Sequence, residues 1–382
     1  MGAHRTRLRL AVAAAASVLT AAQPVLAETP ASTIEEFARR LDAEGPQNRV
    51  LNNMEIGARA FWSGRFDEAR SALDDCILNI ESVFADDQTA LQARSLWHEE
   101  GAKTFKGEPY ERSMVFFYRG LLFLRAADYE NARAAFRRGQ LQDAFAEELQ
   151  HQSDFALLLF LEAWASHLNG DADLRDEALE RVARLRPDFP GIAPDADTLV
   201  LVETGTAPRK LGDGAAHAYF VYRRGRGFTE NQAELVTGAA RTPLYPIEDI
   251  YFQAATRGGR EIDKVLDGKV EFREATNTFG SALSSTSVAM AQIGGSSDLG
   301  AVVGGIGLIS LLVSANAQPR ADTRQWTSLP DTIHIQTFNA AAVSGEASVA
   351  LRRAGDPTVV LTRPLQFERD SRGRQFAFVR SR

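Results

Sequence analysis

Residues 118–139, "YRGLLFLRAADYENARAAFRRG", read as two helices joined at Ala-Ala-Asp, and this pair sets the architecture of the first half of the chain. Gly120 lies on the first helix, and Ala132 and Phe136 lie on the second. Small residues let two helix axes approach, and the next large side chain then plugs the gap between them. The arrangement recurs upstream in "IGARAFWSGRFDEARSALDDC", residues 56–76. Gly57 matches Gly120, Phe66 matches Tyr129, Ala69 matches Ala132 and Leu73 matches Phe136, each pair 63 residues apart. Phe66, Ala69, Leu73, Cys76, Ile77 and Ile80 form one apolar stripe, which predicts a helix with a single buried face. A looser third copy, "LEAWASHLNGDADLRDEALERVARLRPDF", carries Ala163, Gly170, Leu179 and Pro187 in corresponding places, with Arg175 where a small residue is expected.

This order of small, aromatic, small and large apolar residues, then proline, resembles the tetratricopeptide repeat. The resemblance implies stacked helical pairs whose surface receives peptides or partner proteins. An offset of 63 residues exceeds the usual period of about 34, so a further helix or irregular pair is expected at 86–109. The other arrangement open to such pairs is a compact module packed on the second half, with no groove. "STIEEFARRL" opens the region with the capping box Ser32 and Glu35. "SMVFFYRGLLFL" is apolar nearly all round and belongs at the centre of the module.

From Thr198 the pattern changes. "TLVLVET", "AHAYFVYR", "TIHIQTF", "EASVALR", "PTVVLTR" and "QFAFVR" are short, rich in β-branched and aromatic residues, and bounded by Gly, Pro or Asp. Two of these strands precede, and four follow, the run Ala275–Pro319, whose only charge is Asp298. Strands on either side are expected to pair across it. The expected fold class is therefore α+β: a tetratricopeptide-like helical domain at 28–195, then a β-rich domain at 196–382 with a helical insertion at about 260–318. Ser296, Gly300 and Gly304 have the spacing that lets helices touch in a membrane. The uninterrupted apolar segment Ala301–Val313 would nevertheless span roughly 20 Å as a helix, against the roughly 30 Å of a hydrocarbon core. It reads as half of a buried, tightly packed helical hairpin and, if part of it is exposed, as the surface for a homo-oligomer or another partner.

"MGAHRTRLRLAVAAAASVLTAAQPVLA", with Arg5, Arg7 and Arg9 before an apolar core, predicts a signal peptide over residues 1–27 and cleavage after Ala27. The expected location is the periplasm. The residue directly after that site is Glu28 rather than Cys, and Cys76, the only one, cannot form an internal disulfide. Residues 28–195 carry net charge −12 and residues 196–382 carry +2, so neither half offers the basic surface that nucleic acid requires.

Three segments carry a further resemblance: "KGEPYERSMVFFYRGLLFLRAADYENARAAFRRG", "ETGTAPRK" and "ADTRQWTSLPDTIHI". In this order they resemble an uncharacterised bacterial family of exported proteins. Its members are often lipoproteins, and are often encoded beside lipoproteins similar to curli-secretion and penicillin-binding-protein activators. The resemblance implies envelope work without naming an activity, and this chain lacks the lipoprotein cysteine.

Glu108 and Glu111 have the look of paired carboxylates for glycoside cleavage. A helix start accounts for the same motif, with Pro109 at the first position and Glu111 in the first turn. Tyr110 is expected to pack across the following turn. Asp322, Arg324 and Trp326 suit a binding constellation in which Arg324 grips a carboxylate or phosphate, or alternatively an internal Arg pair beside a core Trp. "GTAPRK" reads as a strand-ending turn with Lys210 in solvent. His98, His151, His167, His217 and His334 lack metal-site spacing, and "GGIG" and "RGRG" are too short for nucleotide binding, so no cofactor is expected. The leading expectation is a non-enzymatic envelope interaction or assembly factor whose partners are other envelope proteins, lipoproteins among them. The alternatives are a membrane-inserting or pore-associated component acting through 279–317, and a cell-wall hydrolase.

Overall fold

In the computed structural model, residues 33–85, 104–144, 154–213, 219–257, 322–343 and 345–382 are described. The expected signal peptide and the apolar run Ala275–Pro319 lie outside them, as does most of the 86–109 segment. Among the described residues no helix is long and apolar enough to cross a membrane.

Helices come first: α1 (Ile34–Glu44), α2 (Arg49–Trp62), α3 (Phe66–Ala85), α4 (Pro109–Arg125), α5 (Tyr129–Ala144), α6 (Ala156–Asn169) and α7 (Ala172–Leu185). The pairs α2–α3, α4–α5 and α6–α7 each pack closely, and α5 also packs on α6. Their closeness rests on the small residues. A methyl group on Gly57 would lie 2.7 Å from Leu73 Cδ2, and one on Gly120 would collide with the Phe136 ring. The turns within the pairs each use a left-handed residue: Gly64 (φ +73°), Ala127 (φ +56°) and Gly170 (φ +87°). α4 is the buried centre of this layer, covered from Tyr110 to Tyr118 on every side.

The strands follow: β1 (Thr198–Thr204), β2 (Arg209–Asp213), β3 (Tyr219–Arg223), β4 (Gln232–Thr237), β5 (Ala240–Pro243) and β6 (Tyr245–Asp249), then helix α8 (Ile250–Arg257). After the undescribed segment come β7 (Thr332–Phe338), β8 (Ala347–Arg352), β9 (Val359–Pro364), β10 (Glu368–Arg369) and β11 (Gln375–Arg380). They form a five-stranded sheet in the order β10-β11-β1-β7-β6, a four-stranded sheet in the order β5-β4-β8-β9, and a β2-β3 ribbon. β1 pairs antiparallel with β7 and parallel with β11. Strands from the two sides of residues 258–321 thus join, at β1–β7, β6–β7 and β4–β8.

β1 explains the layering. Leu199 and Leu201 point into the core shared with the helices, whereas Val200 and Val202 point into a second core shared with β4 and β8. Successive strand residues face opposite ways, so an uninterrupted apolar strand is covered on both faces. The molecule is a helix layer, a five-stranded sheet and a four-stranded sheet, with the helix-side core continuous from Ile34 to Ile335. The expectation of two strands before and four after the apolar run needs correction, because β2, β4, β5, β6 and β10 add to it. At Leu244, whose N–H donates to the Ala233 carbonyl, the chain leaves one sheet for the other between Pro243 and Pro246. Two prolines and a corner concealed these strands.

Candidate functional site

Pro109 opens α4, where its missing N–H costs nothing and its fixed φ suits the helix. Glu108 is the N-cap, and its backbone N–H donates to Glu111 Oε2 at 2.7 Å. Glu111 Oε1 accepts the N–H of Trp326 at 2.6 Å. Glu111 is fully buried, and burial, opposed by those two N–H groups, pushes its carboxyl up to about 7. The next N–H along, that of Thr327, donates to Glu55 Oε1 of α2 at 2.6 Å, and the Thr327 hydroxyl reaches the same oxygen. Two carboxylates from two helices thus hold consecutive backbone donors of one loop.

That loop carries the remaining candidates. Arg324 pairs with Asp322, donates to Asn48 Oδ1 at 2.6 Å and lies 5.6 Å from the Phe105 ring centroid. Trp326 is fully buried, with its indole N–H on Ser328 Oγ at 2.8 Å and its ring 5.8 Å from Tyr118. The Tyr118 hydroxyl donates to Glu203 Oε1 at 2.7 Å, and Arg380 lies 3.4 Å from the other oxygen. Burial raises Glu203, while Arg380 and Tyr118 pull it back.

The third motif arrives on β2. Lys210 Nζ donates to Glu108 Oε1, its backbone N–H donates to Gln325 Oε1, and its ammonium lies 4.2 Å from the Phe220 ring centroid. The expectation of a solvated Lys210 is therefore wrong: the side chain is 4% exposed, because a carboxylate and an aromatic face replace water. Tyr110, expected to pack along its own helix, meets Tyr222 of β3 edge-on with ring centroids 5.9 Å apart. Burial and the charges of Glu111 and Glu108 hold its hydroxyl well above the ordinary tyrosine range.

The structure thus brings Glu108, Pro109, Tyr110, Glu111, Asp322, Arg324 and Trp326 together, where α4, the β2–β3 ribbon and the 322–331 segment meet. Sequence reasoning missed Glu55, Asn48 and Gln325. The signal for Glu55 was an acid beside Met54 and Ile56 on a helix that is buried almost throughout. Chemically the Glu111 carboxyl faces two backbone N–H groups, while Glu55 Oε2 beside it is buried without a hydrogen bond. Among the described residues no group of three or more His, Cys, Asp or Glu is placed to hold a metal ion. His334 is buried with Nε2 3.1 Å from Thr204 Oγ1, and burial pushes it down to about 3. Cys76 is buried with its thiol on the Val50 carbonyl. A cavity of about 410 Å³ lies elsewhere, between the Phe189–Pro194 loop and Ile335–Thr337. No protein-family model matches the chain, and no match was found among curated proteins.

Proposed function

We propose that the chain is a non-enzymatic interaction or assembly factor of the bacterial cell envelope, exported to the periplasm, whose tetratricopeptide-like helical pairs receive other envelope proteins. The observation that carries this reading is the repeated contact at a 63-residue offset. Gly57 meets Leu73 and Gly120 meets Phe136, while Gly64 and Ala127 bend the corresponding turns. Recurring pairs of this kind stack into a surface longer than any single helix. Two large apolar side chains stand out on the second helices of consecutive pairs: Leu78 of α3 is 68% exposed and Leu141 of α5 is 59% exposed. Arg138 and Glu81 join those helices 3.0 Å apart. A net charge of −12 over residues 28–195 favours a partner that is basic around an apolar anchor.

Photo-crosslinkers at Leu78 and Leu141 in living cells test this. The expected result is one reproducible protein adduct shared by both positions and lost when the other leucine is changed to Glu. Adducts no stronger than those at the exposed Val360 of β9 would overturn it.

A further inference from the structure

The outer face of the β2–β3 ribbon and the segment that follows it join three guanidiniums to an exposed leucine. Arg209 and Arg223 are direct cross-strand partners, and the neighbouring pair on the same face is Leu211 and Val221. Val221 is covered, while Leu211 is 39% exposed. Arg226 follows three residues after Arg223, and both are exposed. Among the described residues none of Arg209, Arg223 and Arg226 forms an ion pair, whereas Arg224 between them holds both Asp249 and Asp331.

Like charges directly opposite on paired strands repel. Burial and the charges of Arg226 and Arg223 lower Arg209 from its ordinary value. The arrangement is nonetheless held firmly. Arg209 Nε donates to the Arg224 carbonyl at 3.0 Å, and Thr206 Oγ1 donates to the Arg226 carbonyl at 3.0 Å. Gly225 sits so close to the Thr206 backbone that no side chain would fit. Among the described residues these three guanidiniums lack carboxylates; that of Arg209 is anchored and the backbone beneath Arg226 is held, and Arg engages the oxygens of phosphate groups through paired N–H donors.

We infer that this face binds an anionic lipid surface, with Arg209, Arg223 and Arg226 on headgroup phosphates and Leu211 entering the interfacial layer. Charge complementarity is local, because the whole chain is net −7 and would otherwise be repelled by such a surface. The exposed leucine favours a bilayer over a soluble phosphate, which would have no use for it. This inference does not depend on the helical surface proposed above.

The test uses residues 28–382, which keep the compact unit Ile34–Arg382 whole and omit the arginines of the N-terminal segment. Sedimentation with vesicles rich in phosphatidylglycerol is expected to exceed that with phosphatidylcholine and to fall as salt is raised. Arg209→Gln/Arg223→Gln/Arg226→Gln should weaken the phosphatidylglycerol partition on the order of 100-fold, about five-fold per arginine. Leu211→Ser should weaken it by a smaller factor. The triple variant should melt close to its parent at low salt, since the relieved repulsion offsets the lost Arg209–Arg224 hydrogen bond. Equal sedimentation with both lipids, or undiminished binding by the triple variant, would overturn the inference. Binding of inorganic phosphate without vesicle binding would overturn it too, and would assign the face to a soluble anion.

Discussion

At Gly120 a single methyl group decides whether α4 and α5 can meet, because its neighbour is the rigid ring of Phe136. Gly120→Ala is expected to cost about 3 kcal/mol, and Gly57→Ala, against the more adaptable Leu73, nearer 1–2 kcal/mol, by urea denaturation. Equal small losses would remove the repeated close contact from the account. Glu111 makes a separate prediction. Its folded value near 7 lies above the ordinary 4.5, so the folded state holds a proton that the unfolded chain has released. That stabilisation is complete below about pH 4.5 and is lost as pH rises through about 7. The stability of the parent relative to Glu111→Gln should therefore fall between pH 5 and pH 8, by up to about 3 kcal/mol. Comparing the two proteins isolates Glu111 from Glu248, which burial also lifts to about 7, and from His334, whose depression acts in the opposite direction. Glu108 and Lys210 are unequal partners, the carboxylate being 25% exposed and the lysine 4%. Glu108→Gln should lower the melting temperature more than Lys210→Met, because only the first leaves a buried ammonium unpaired.

Among the elements, the helices were the most legible, and two of the matched positions do meet their counterparts: Gly57 meets Leu73 and Gly120 meets Phe136. The turn of the second pair is less comfortable than its counterparts. Ala127 takes the left-handed conformation that Gly64 and Gly170 adopt at the other turns. Such a conformation costs a non-glycine residue roughly 1–2 kcal/mol, part of which glycine's extra unfolded freedom returns. Ala127→Gly is therefore expected to stabilise by about 0.5 kcal/mol in thermal unfolding, and destabilisation would show that the lost methyl contact matters more. The strands were legible where both faces are buried, as in "TLVLVET", and illegible where proline or a short exposed alternation stood in for it, as in β5. At the candidate site, the sequence singled out each motif and the helix start at Pro109. It gave no hint that "GEPYE", "PRK" and "DTRQW" converge, because that depends on pairings between positions more than 100 residues apart. Lys210 was misread for the same reason: a lysine's partner across the fold leaves no local trace.

Across the whole molecule the helix layer has no floor of its own. Its inner surface closes on Leu199 and Leu201 of β1 and on Ile333 and Ile335 of β7. Residues 28–195 made alone should therefore be helical by far-ultraviolet dichroism yet bind a hydrophobic dye and give poorly dispersed spectra. A sharp melting transition for that fragment would show that it is an independent domain. In residues 28–382, far- and near-ultraviolet signals should be lost together, as one cooperative unit requires.

The pairing of Thr198 with Gln375 carries a consequence in time. Synthesis delivers the helices first, then β1, and only much later the two strands that flank it. Throughout that interval the apolar underside of the helix layer waits for a lid that has not yet been made. The nascent chain is thus obliged to be sheltered by something else before it can shelter itself.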